Sequence, residues 1–340
     1  MKHLLFWLPA LLWLGGCVHA APKKQYYKEA GERFHTEYHF TYEADSLLSA
    51  ALDSTMQRFD DELNNFKAGS FISAWNRGET DSLSPMLRDV ILQAVEVSRK
   101  SDGAYDVTGS PLFDLWGFGT TEAPDTLATK SKVDSVLAFV GYQKLTIDTI
   151  RHKLLKGDPR MTINPSSLSK GYVTDLVAQT LERLGVENFM VEIGGEIVAR
   201  GSSPDGQPWT IGISKPVDRP EGEAYDADLL YAVEIPHRFG MATSGDYRNY
   251  KVVEGKKLAH TIDVRSGYPA HSDLLSATVV APTCMEADAW ATAFMSLGLK
   301  RSLELLESEP RLSVLFVYED PDTGLMTSYT RGLEIRELQK

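Results

Sequence analysis

The chain has 340 residues, of which 43% are hydrophobic and 24% charged, a composition typical of a globular protein with one large domain or two smaller ones. Its formal net charge of −12 argues against nonspecific binding to nucleic acid, because such binding requires a positive surface. An acidic chain can still carry one local basic pocket for a ligand that contains phosphate.

The first segment of the chain has the pattern of a targeting signal. A basic start precedes an apolar run over residues 4–16, which is too short to cross a bilayer as a helix. The run ends in the sequence LGGC, which resembles the lipobox of bacterial lipoprotein signals, where cleavage precedes a cysteine that carries lipid. We therefore expect a signal peptide over residues 1–16 and lipidation at Cys17. The alternative is an ordinary secretory signal that happens to contain a cysteine.

The segment after Cys17 is predicted to connect the lipid anchor to the folded domain. Residues 17–32 are polar and lack a clear period, so we interpret them as a tether, followed by one domain over residues 33–340. Alternation predicts a strand over residues 34–42, and apolar residues at spacings of three and four predict a helix over residues 44–66.

The ends of three further helices can be recognised from their residues. Ser84 followed by Pro85 predicts an N-cap with proline at the first helical position. A capping box at residues 131–134 predicts the start of the next helix. A helix over about residues 169–184 is predicted to end at Gly185.

Strands dominate the second half of the chain. Alternating or β-branched segments predict strands over residues 189–199, 209–214, 230–235, 258–264 and 275–281. Helices over residues 285–297 and 301–307 and a strand over residues 312–318 follow. Because helices and strands are mixed without a strict βαβ rhythm, we predict an α+β fold with mixed, largely antiparallel sheets and packed helices.

The helix over residues 285–297 carries a carboxylate among apolar residues. Asp288 lies in the sequence EADAWATAF, where a buried charge without a partner would cost several kcal/mol. Thr292 follows at i+4, so both side-chain oxygens lie on one helix face. Hard oxygen donors suit Mg²⁺ or Ca²⁺, which makes a metal site one interpretation. In the other, Asp288 contacts a neighbouring loop.

Four other features have both a structural and a functional interpretation. Lys170 opens a helix, where backbone N–H groups either attract phosphate or form a plain N-cap. The pair Gly194 and Gly195 interrupts a strand, as in a bulge or a close approach of ligand. Residues 241–250 are dense in polar side chains, as in a turn or a binding loop. His260 lies on a predicted strand and is either structural or catalytic.

Eight motifs, taken in chain order, resemble those of the ApbE family, the FAD:protein FMN transferases. They are FKAGSFISAWN (66–76), DGAYDVTGSPLFDLWGFG (102–119), INPSSLSKGYVTD (163–175), EIGGEI (192–197), PWTIGISKP (208–216), ATSGDYRNY (242–250), HTIDVRSGYP (260–269) and EADAWAT (286–292). The resemblance extends over about residues 33–335 and implies the family's architecture, which is similar to the T-fold.

The chain departs from the family pattern at three positions. Phe34 stands where the family's MGT motif has methionine, and Asn164 stands where the family has aspartate. The second change removes a negative charge close to the expected flavin. In the HxIDP motif, Val264 replaces proline. None of the three changes removes an expected metal ligand.

The resemblance implies Mg²⁺-dependent transfer of FMN from FAD to a threonine of an acceptor protein through a phosphodiester bond, with release of AMP. The metal ligands would be Asp288, Thr292 and the backbone oxygen of Ser167. The residues expected to contact FAD are Phe34, Phe66, Trp116, Gly117, Phe118, Asn164, Lys170 and Ile262. A general base must take the threonine proton. His260 is the first candidate, because histidine titrates near neutral pH, and Asp246 is the second.

Two other functions remain open from the sequence. One is Mg²⁺-dependent hydrolysis of FAD to FMN and AMP, and the other is flavin binding by a lipoprotein without catalysis. The pair Asp288 and Thr292 argues against the second, because flavin storage requires no metal. Family members are often lipoproteins facing the periplasm, in agreement with Cys17, and the choice of inner or outer membrane is undetermined. The acceptor would be a subunit of a membrane redox pump or an extracytoplasmic flavoprotein.

Overall fold

A computed structural model describes residues 24–119, 127–216, 229–235, 237–245, 250–253, 256–259, 261–270, 272–320, 322–323 and 326–338, with the backbone alone at 250–253 and 256–259. Three residues singled out from the sequence, Cys17, Asp246 and His260, therefore lie outside the described residues. Within the described ranges, no helix is both long enough and apolar enough to cross a membrane.

The helices of the described residues are α1 (Ser49–Leu63), α2 (Phe71–Asn76), α3 (Pro85–Lys100), α4 (Ser110–Leu115), α5 (Lys130–Leu137), α6 (Ser166–Arg183) and α7 (Cys284–Leu306). The strands are β1 (Gln25–Arg33), β2 (Thr36–Ala44), β3 (Leu145–Asp148), β4 (Lys153–Lys156), β5 (Phe189–Ile193), β6 (Glu196–Arg200), β7 (Trp209–Ser214), β8 (Leu229–Ile235), β9 (Phe239–Gly245), β10 (Tyr250–Val253), β11 (Lys256–Ala259), β12 (Ile262–Asp263), β13 (Tyr268–Pro269), β14 (Leu274–Ala281), β15 (Ser313–Glu319), β16 (Met326–Arg331) and β17 (Ile335–Glu337).

An antiparallel sheet with the order β1-β2-β5-β6-β9-β14-β15-β16 forms the centre of the described fold. One of its faces packs against α1, α3, α6 and α7, and the other against a small sheet with the order β17-β8-β7. Both faces are covered, so alternate residues of a central strand enter different cores: Phe316 packs on the helical side and Leu315 on the other. The predicted α+β fold with largely antiparallel sheets is confirmed.

The N-terminal tether was predicted over too long a range. Residues 25–32 belong to β1, which pairs with β2 along its whole length, so the prediction of an irregular segment is wrong there. The strand is polar because it lies at the sheet edge and is half-exposed. Phe34 and His35, both with positive φ near 60°, form the two-residue turn of this hairpin. The strand predicted from residue 34 therefore begins at Thr36.

Helix α7 joins two segments that were predicted as separate helices. The chain passes from the first into the second through a kink at Gly298, where φ is 71° and ψ is 173°. The side chain of Asp273 stabilises the kink, because its Oδ1 accepts a hydrogen bond from the N–H of Leu299 at 2.7 Å. The helix start at Ser84 is confirmed, whereas α5 begins two residues earlier than predicted, with Thr129 as its N-cap.

Candidate active site

A cavity of about 730 Å³ lies where the first turn of α6, the middle of α7 and the ends of β6 and β9 meet. This volume is suitable for a small-molecule ligand. The residues that line it are Phe66, Ala104, Tyr105, Asp106, Val107, Ser110, Phe113, Gly117, Phe118, Gly119, Asn164, Ser166, Ser167, Lys170, Glu196, Thr243, Ser244, Gly245, Thr261, Ile262, Val264, Asp288, Thr292 and Ser296.

Gly171 brings the two helices of the site close together. A Cβ atom at this position would lie 2.3 Å from the carbonyl oxygen of Cys284 and 2.9 Å from the Cβ of Asp288, so only glycine fits without a shift of α6 or α7. The N–H of Gly171 also donates a hydrogen bond to Oδ2 of Asp288 at 3.0 Å. The close contact thus gives the buried carboxylate a backbone partner.

Asp175, one turn further along α6, fixes the start of α7. Its two carboxylate oxygens accept hydrogen bonds from the N–H groups of Cys284 and Met285 at 3.0 and 2.9 Å. These N–H groups belong to the first turn of α7 and have no partner within the helix. The pairing sets the position of α7 against α6, and with it the direction of the side chains that follow.

Three oxygen donors converge on the cavity wall. Asp288 is 4% exposed, and burial raises the pKa of its carboxyl, while the positive charge of Lys170 and the N–H of Gly171 act in the opposite direction. Thr292 donates from Oγ1 to the carbonyl oxygen of Ser167 at 3.3 Å. The carboxylate, the hydroxyl and the carbonyl are thus the three donors expected for Mg²⁺ from the sequence.

The donor set is suited to Mg²⁺ rather than to a transition metal. Among the described residues, no group of three or more His, Cys, Asp and Glu side chains is arranged to hold a metal. Mg²⁺ typically takes one or two carboxylates and completes its shell with water and substrate phosphates. A single buried carboxylate beside a hydroxyl and a carbonyl at an open cavity fits that requirement.

Lys170 lies beside these donors and is paired with Glu196. The distance between its Nζ and Oε2 of Glu196 is 2.6 Å, and the glutamate side chain is 2% exposed. Burial raises the pKa of Glu196, while the ammonium of Lys170 acts in the opposite direction and favours the charged carboxylate. Burial would lower the pKa of Lys170, but the charges of Glu196 and Asp288 outweigh it and raise that pKa. Lys170 therefore carries its positive charge on the cavity wall at neutral pH.

The two glycines singled out from the sequence position Glu196. Gly194 and Gly195 form the turn between β5 and β6, with φ of 63° and 98°, a conformation that other residues rarely adopt. The turn brings the first residue of β6 to the cavity, and the carbonyl of Gly194 accepts a bond of 3.4 Å from Nζ of Lys170. The single strand predicted over residues 189–199 is therefore wrong: the glycine pair forms a hairpin turn between two strands and not a bulge within one.

Three phenylalanines also line the cavity. Phe66 is 61% exposed at its rim and packs edge to face with His35 at a centroid distance of 6.4 Å, and Phe113 and Phe118 lie on the wall. Exposed rings beside a cavity offer surfaces on which a planar ligand can stack. Backbone or side-chain atoms of Gly117, Asn164 and Ile262, all expected to contact FAD, also line it.

Two residues expected to contact FAD, Phe34 and Trp116, do not line the cavity. Trp116 is 5% exposed, packs with Val264 and Ile262 in a small core, and donates from Nε1 to the carbonyl of Gly267 at 2.8 Å. Phe34 packs edge to face on Phe59, with ring centroids 5.1 Å apart, and neither of these two phenylalanines lines the cavity. Trp116 supports the wall from the protein interior.

Asp246 and His260 lie outside the described residues, although their neighbours Gly245 and Thr261 line the cavity. The structure adds wall residues that sequence motifs did not single out for a role. They include Glu196, Ser296, and Tyr105, whose hydroxyl accepts a bond from Ser167 Oγ at 3.0 Å. A sequence feature could have identified two of them. Glu196 directly follows the glycine pair, and Ser296 lies four residues after Thr292, on the same helix face.

The sequence of the chain is similar to those of known flavin transferases. A family model described as the ApbE family matches residues 34–316. The FAD:protein FMN transferase of Haemophilus influenzae is 35% identical over 311 residues, which cover 88% of both chains. The enzyme of the same name from Vibrio cholerae is 33% identical over 331 residues, which cover 95% of both.

Solved structures agree with these relatives. The flavin transferase ApbE from Vibrio cholerae superposes with a TM-score of 0.79 and 29% identity, covering 91% of this chain and 98% of that chain. The apo form of the Pseudomonas stutzeri flavinyl transferase ApbE gives a TM-score of 0.76 and 28% identity, covering 91% and 96%. The protein described above therefore belongs to the ApbE family.

Proposed function

We propose that the protein transfers FMN from FAD to a threonine of an acceptor protein in a Mg²⁺-dependent reaction that releases AMP. The general activity follows from the relatives. Because the similarity to them extends over most of both chains, the protein is an enzyme, an FAD:protein FMN transferase. In the proposed reaction the threonine oxygen attacks the phosphorus of the FMN half. The bond from that phosphorus to the bridging oxygen breaks, and the oxygen leaves with AMP.

The observation that carries the metal dependence is the convergence of Asp288, Thr292 and the carbonyl of Ser167 beside Lys170. When bound to these donors, Mg²⁺ would neutralise the pyrophosphate and stabilise the charge that develops on the leaving AMP. Lys170 supplies a second positive charge from the wall. Since Glu196 holds its ammonium in place, little reorganisation is needed when the anionic ligand enters.

The remaining wall residues position the rest of the ligand. Phe66, Phe113 and Phe118 offer faces for the isoalloxazine or the adenine. The Asn164 side chain accepts a bond from the N–H of Ser166 at 3.0 Å through Oδ1, which leaves its NH₂ group for the ligand. The neutral amide that stands in place of the family's carboxylate thus has an oxygen for the helix start and a donor for the ligand.

The proton of the attacking threonine requires a base. His260 is the proposed base and Asp246 the second candidate, because both belong to segments whose described neighbours line the cavity. A His260→Ala variant that retained full transfer activity would exclude His260 from this role. The same assay with Asp246→Asn would then test the carboxylate.

The decisive assay combines the protein with FAD, Mg²⁺ and a candidate acceptor that contains the target threonine. Transfer predicts AMP release together with an acceptor band that fluoresces in a denaturing gel. Release of AMP with free FMN and no labelled band would instead indicate hydrolysis of FAD. Bound flavin without AMP release, at any Mg²⁺ concentration, would contradict both reactions.

We also propose that the protein is anchored by lipid at Cys17 and faces the periplasm of a bacterial cell. The support is the LGGC sequence at the end of the apolar run. The proposed acceptors, a redox-pump subunit or an extracytoplasmic flavoprotein, would be accessible from that position. Cys17→Ser should move the protein from the membrane fraction to the soluble fraction or leave its signal uncleaved, and unchanged lipid labelling would contradict the proposal.

A further inference from the structure

Ser296 is the third oxygen-bearing residue on the cavity face of α7. It follows Asp288 and Thr292 at equal intervals of four residues, and all three line the cavity. Each interval advances about 6 Å along the helix axis, so the three side chains form a row about 12 Å long. The first two belong to the proposed metal site, and the third has no assigned role.

The hydroxyl of Ser296 lacks a partner in the described part of the chain. Its Oγ is buried and makes no hydrogen bond, not even to the carbonyl four residues earlier that a helical serine often uses. Thr292, by contrast, donates to Ser167. A buried hydroxyl without a partner costs free energy and is uncommon in folded proteins. Because the residue lines the cavity, a rotation about χ1 can turn the hydroxyl towards a ligand there without breaking any hydrogen bond within the protein.

We propose that Ser296 binds FAD directly, through a hydrogen bond to a sugar hydroxyl. The inference rests on the proposed function, which places the pyrophosphate at Lys170, Asp288 and Thr292. Ser296 is about 6 Å further along the axis than Thr292, so the group that reaches it comes after the phosphates. On the FMN side of the pyrophosphate that group is the ribityl chain, and on the AMP side it is the ribose. Both carry hydroxyl groups. Serine and sugar hydroxyls can each donate and accept.

Ser276 offers a matched control for the test. Its Oγ is the other buried hydroxyl without a partner among the described residues, but it lies on β14 and does not line the cavity. Ser296→Ala and Ser276→Ala therefore each remove a buried hydroxyl that makes no hydrogen bond. Neither change should lower the melting temperature of the free protein. A clear decrease for Ser296→Ala would show that the hydroxyl has a structural partner and would overturn the proposal.

The affinity for FAD is measured by titration of flavin fluorescence in EDTA, where no metal supports turnover. Ser296→Ala is expected to bind FAD about three- to tenfold more weakly than the wild type, and Ser276→Ala equally well. Equal affinity of Ser296→Ala and wild type would overturn the proposal, as would the same loss in both variants. Calorimetric titration with FMN and with AMP separately then identifies the sugar, since only the half that contacts Ser296 loses affinity.

The test separates this inference from the proposed function. The EDTA titration depends on neither the metal nor the acceptor, so a loss of affinity in Ser296→Ala stands even if AMP release proves independent of Mg²⁺. Conversely, Mg²⁺-dependent transfer with normal FAD affinity in Ser296→Ala would leave the proposed function intact and reject only the contact.

Discussion

The N–H of Gly171 and the carboxylate of Asp288 are joined by a hydrogen bond of 3.0 Å across a close contact between α6 and α7. This relationship answers how an acidic side chain is accommodated among apolar residues: the backbone of the neighbouring helix is its partner. The same helix carries Lys170 and the carbonyl of Ser167. The distance between α6 and α7 therefore determines the geometry of the whole proposed metal site.

Gly171→Ala should disrupt this geometry. The added Cβ would lie 2.3 Å from the carbonyl oxygen of Cys284, which is backbone and cannot rotate away. Alanine favours a helix by about 1 kcal/mol over glycine, but overpacking typically costs about 1–3 kcal/mol and here acts on two backbones. We expect a lower free energy of unfolding and weaker Mg²⁺ activation, measured by urea denaturation and AMP release.

Gly69→Ala is the control, because a Cβ at Gly69 would meet nothing within 4 Å. It should leave both properties unchanged. Full Mg²⁺ activation in Gly171→Ala would show that the site does not depend on the helix contact.

Asp288→Asn should abolish the metal response without loss of the fold. Asparagine keeps an oxygen for the N–H of Gly171 but removes the charge that holds a cation, so we expect AMP release to fall roughly 100-fold or more. Since burial raises the pKa of Asp288, its charge is unfavourable in the folded protein without metal. The melting temperature in EDTA should thus stay the same or increase.

The matched control is Glu286→Gln, which changes a buried carboxylate on the same helix. Glu286 pairs with Arg311 at 2.6 Å and does not line the cavity. This variant should retain its activation by Mg²⁺ even if it is less stable. Retained activation in Asp288→Asn would place the metal elsewhere.

Local features of the chain were sufficient to predict several elements and part of the site. Ser84 and Pro85 mark the start of α3 through their own backbone preferences, and no distant contact was needed. Asp288 and Thr292 share a face because helix geometry requires it. Such predictions succeed because the cause lies within a few residues of the effect.

Other features depend on contacts between distant segments. Residues 25–32 are polar, and only their pairing with β2 makes them a strand. Glu196 and Lys170 are 26 residues apart and meet because a glycine turn and a helix start converge. Trp116 and Phe118 are neighbours in one motif and belong to the same small core, yet only Phe118 also lines the cavity. Sequence spacing does not specify these directions.

A double-mutant cycle on Lys170 and Glu196 should separate stability from ligand binding. Lys170→Met leaves the buried Glu196 without its cation, so the carboxyl must take up a proton or stay buried as an unpaired charge. We therefore expect a loss of at most about 3 kcal/mol in the free energy of unfolding. The double variant with Glu196→Gln should recover most of that loss, because no uncompensated charge remains. Both variants that lack Lys170 should bind FAD more weakly, since the charge facing the pyrophosphate is gone.

The cycle is measured by urea denaturation at pH 7 and by FAD titration. Additive effects on stability would mean that the two side chains do not interact in solution. Normal FAD affinity in Lys170→Met would remove Lys170 from the phosphate site.

The pH dependence of stability should report on Asp175, the residue that fixes the start of α7. Burial raises the pKa of Asp175 to about 6, although the N–H groups of Met285 and Cys284 oppose the shift. A raised carboxyl pKa means that the folded state binds the proton more tightly than the unfolded state. The stabilisation is therefore complete below about pH 4 and is lost as the pH rises through 6.

Asp175→Asn does not titrate and provides the reference. We expect the difference in free energy of unfolding, wild type minus Asp175→Asn, to fall by at most about 3 kcal/mol between pH 4 and pH 8, measured by urea denaturation at intervals of pH. Other titrating groups cancel in this difference, because both proteins share them. A difference that rises with pH would mean that the two N–H groups at the start of α7 outweigh burial and hold the pKa of Asp175 below its ordinary value.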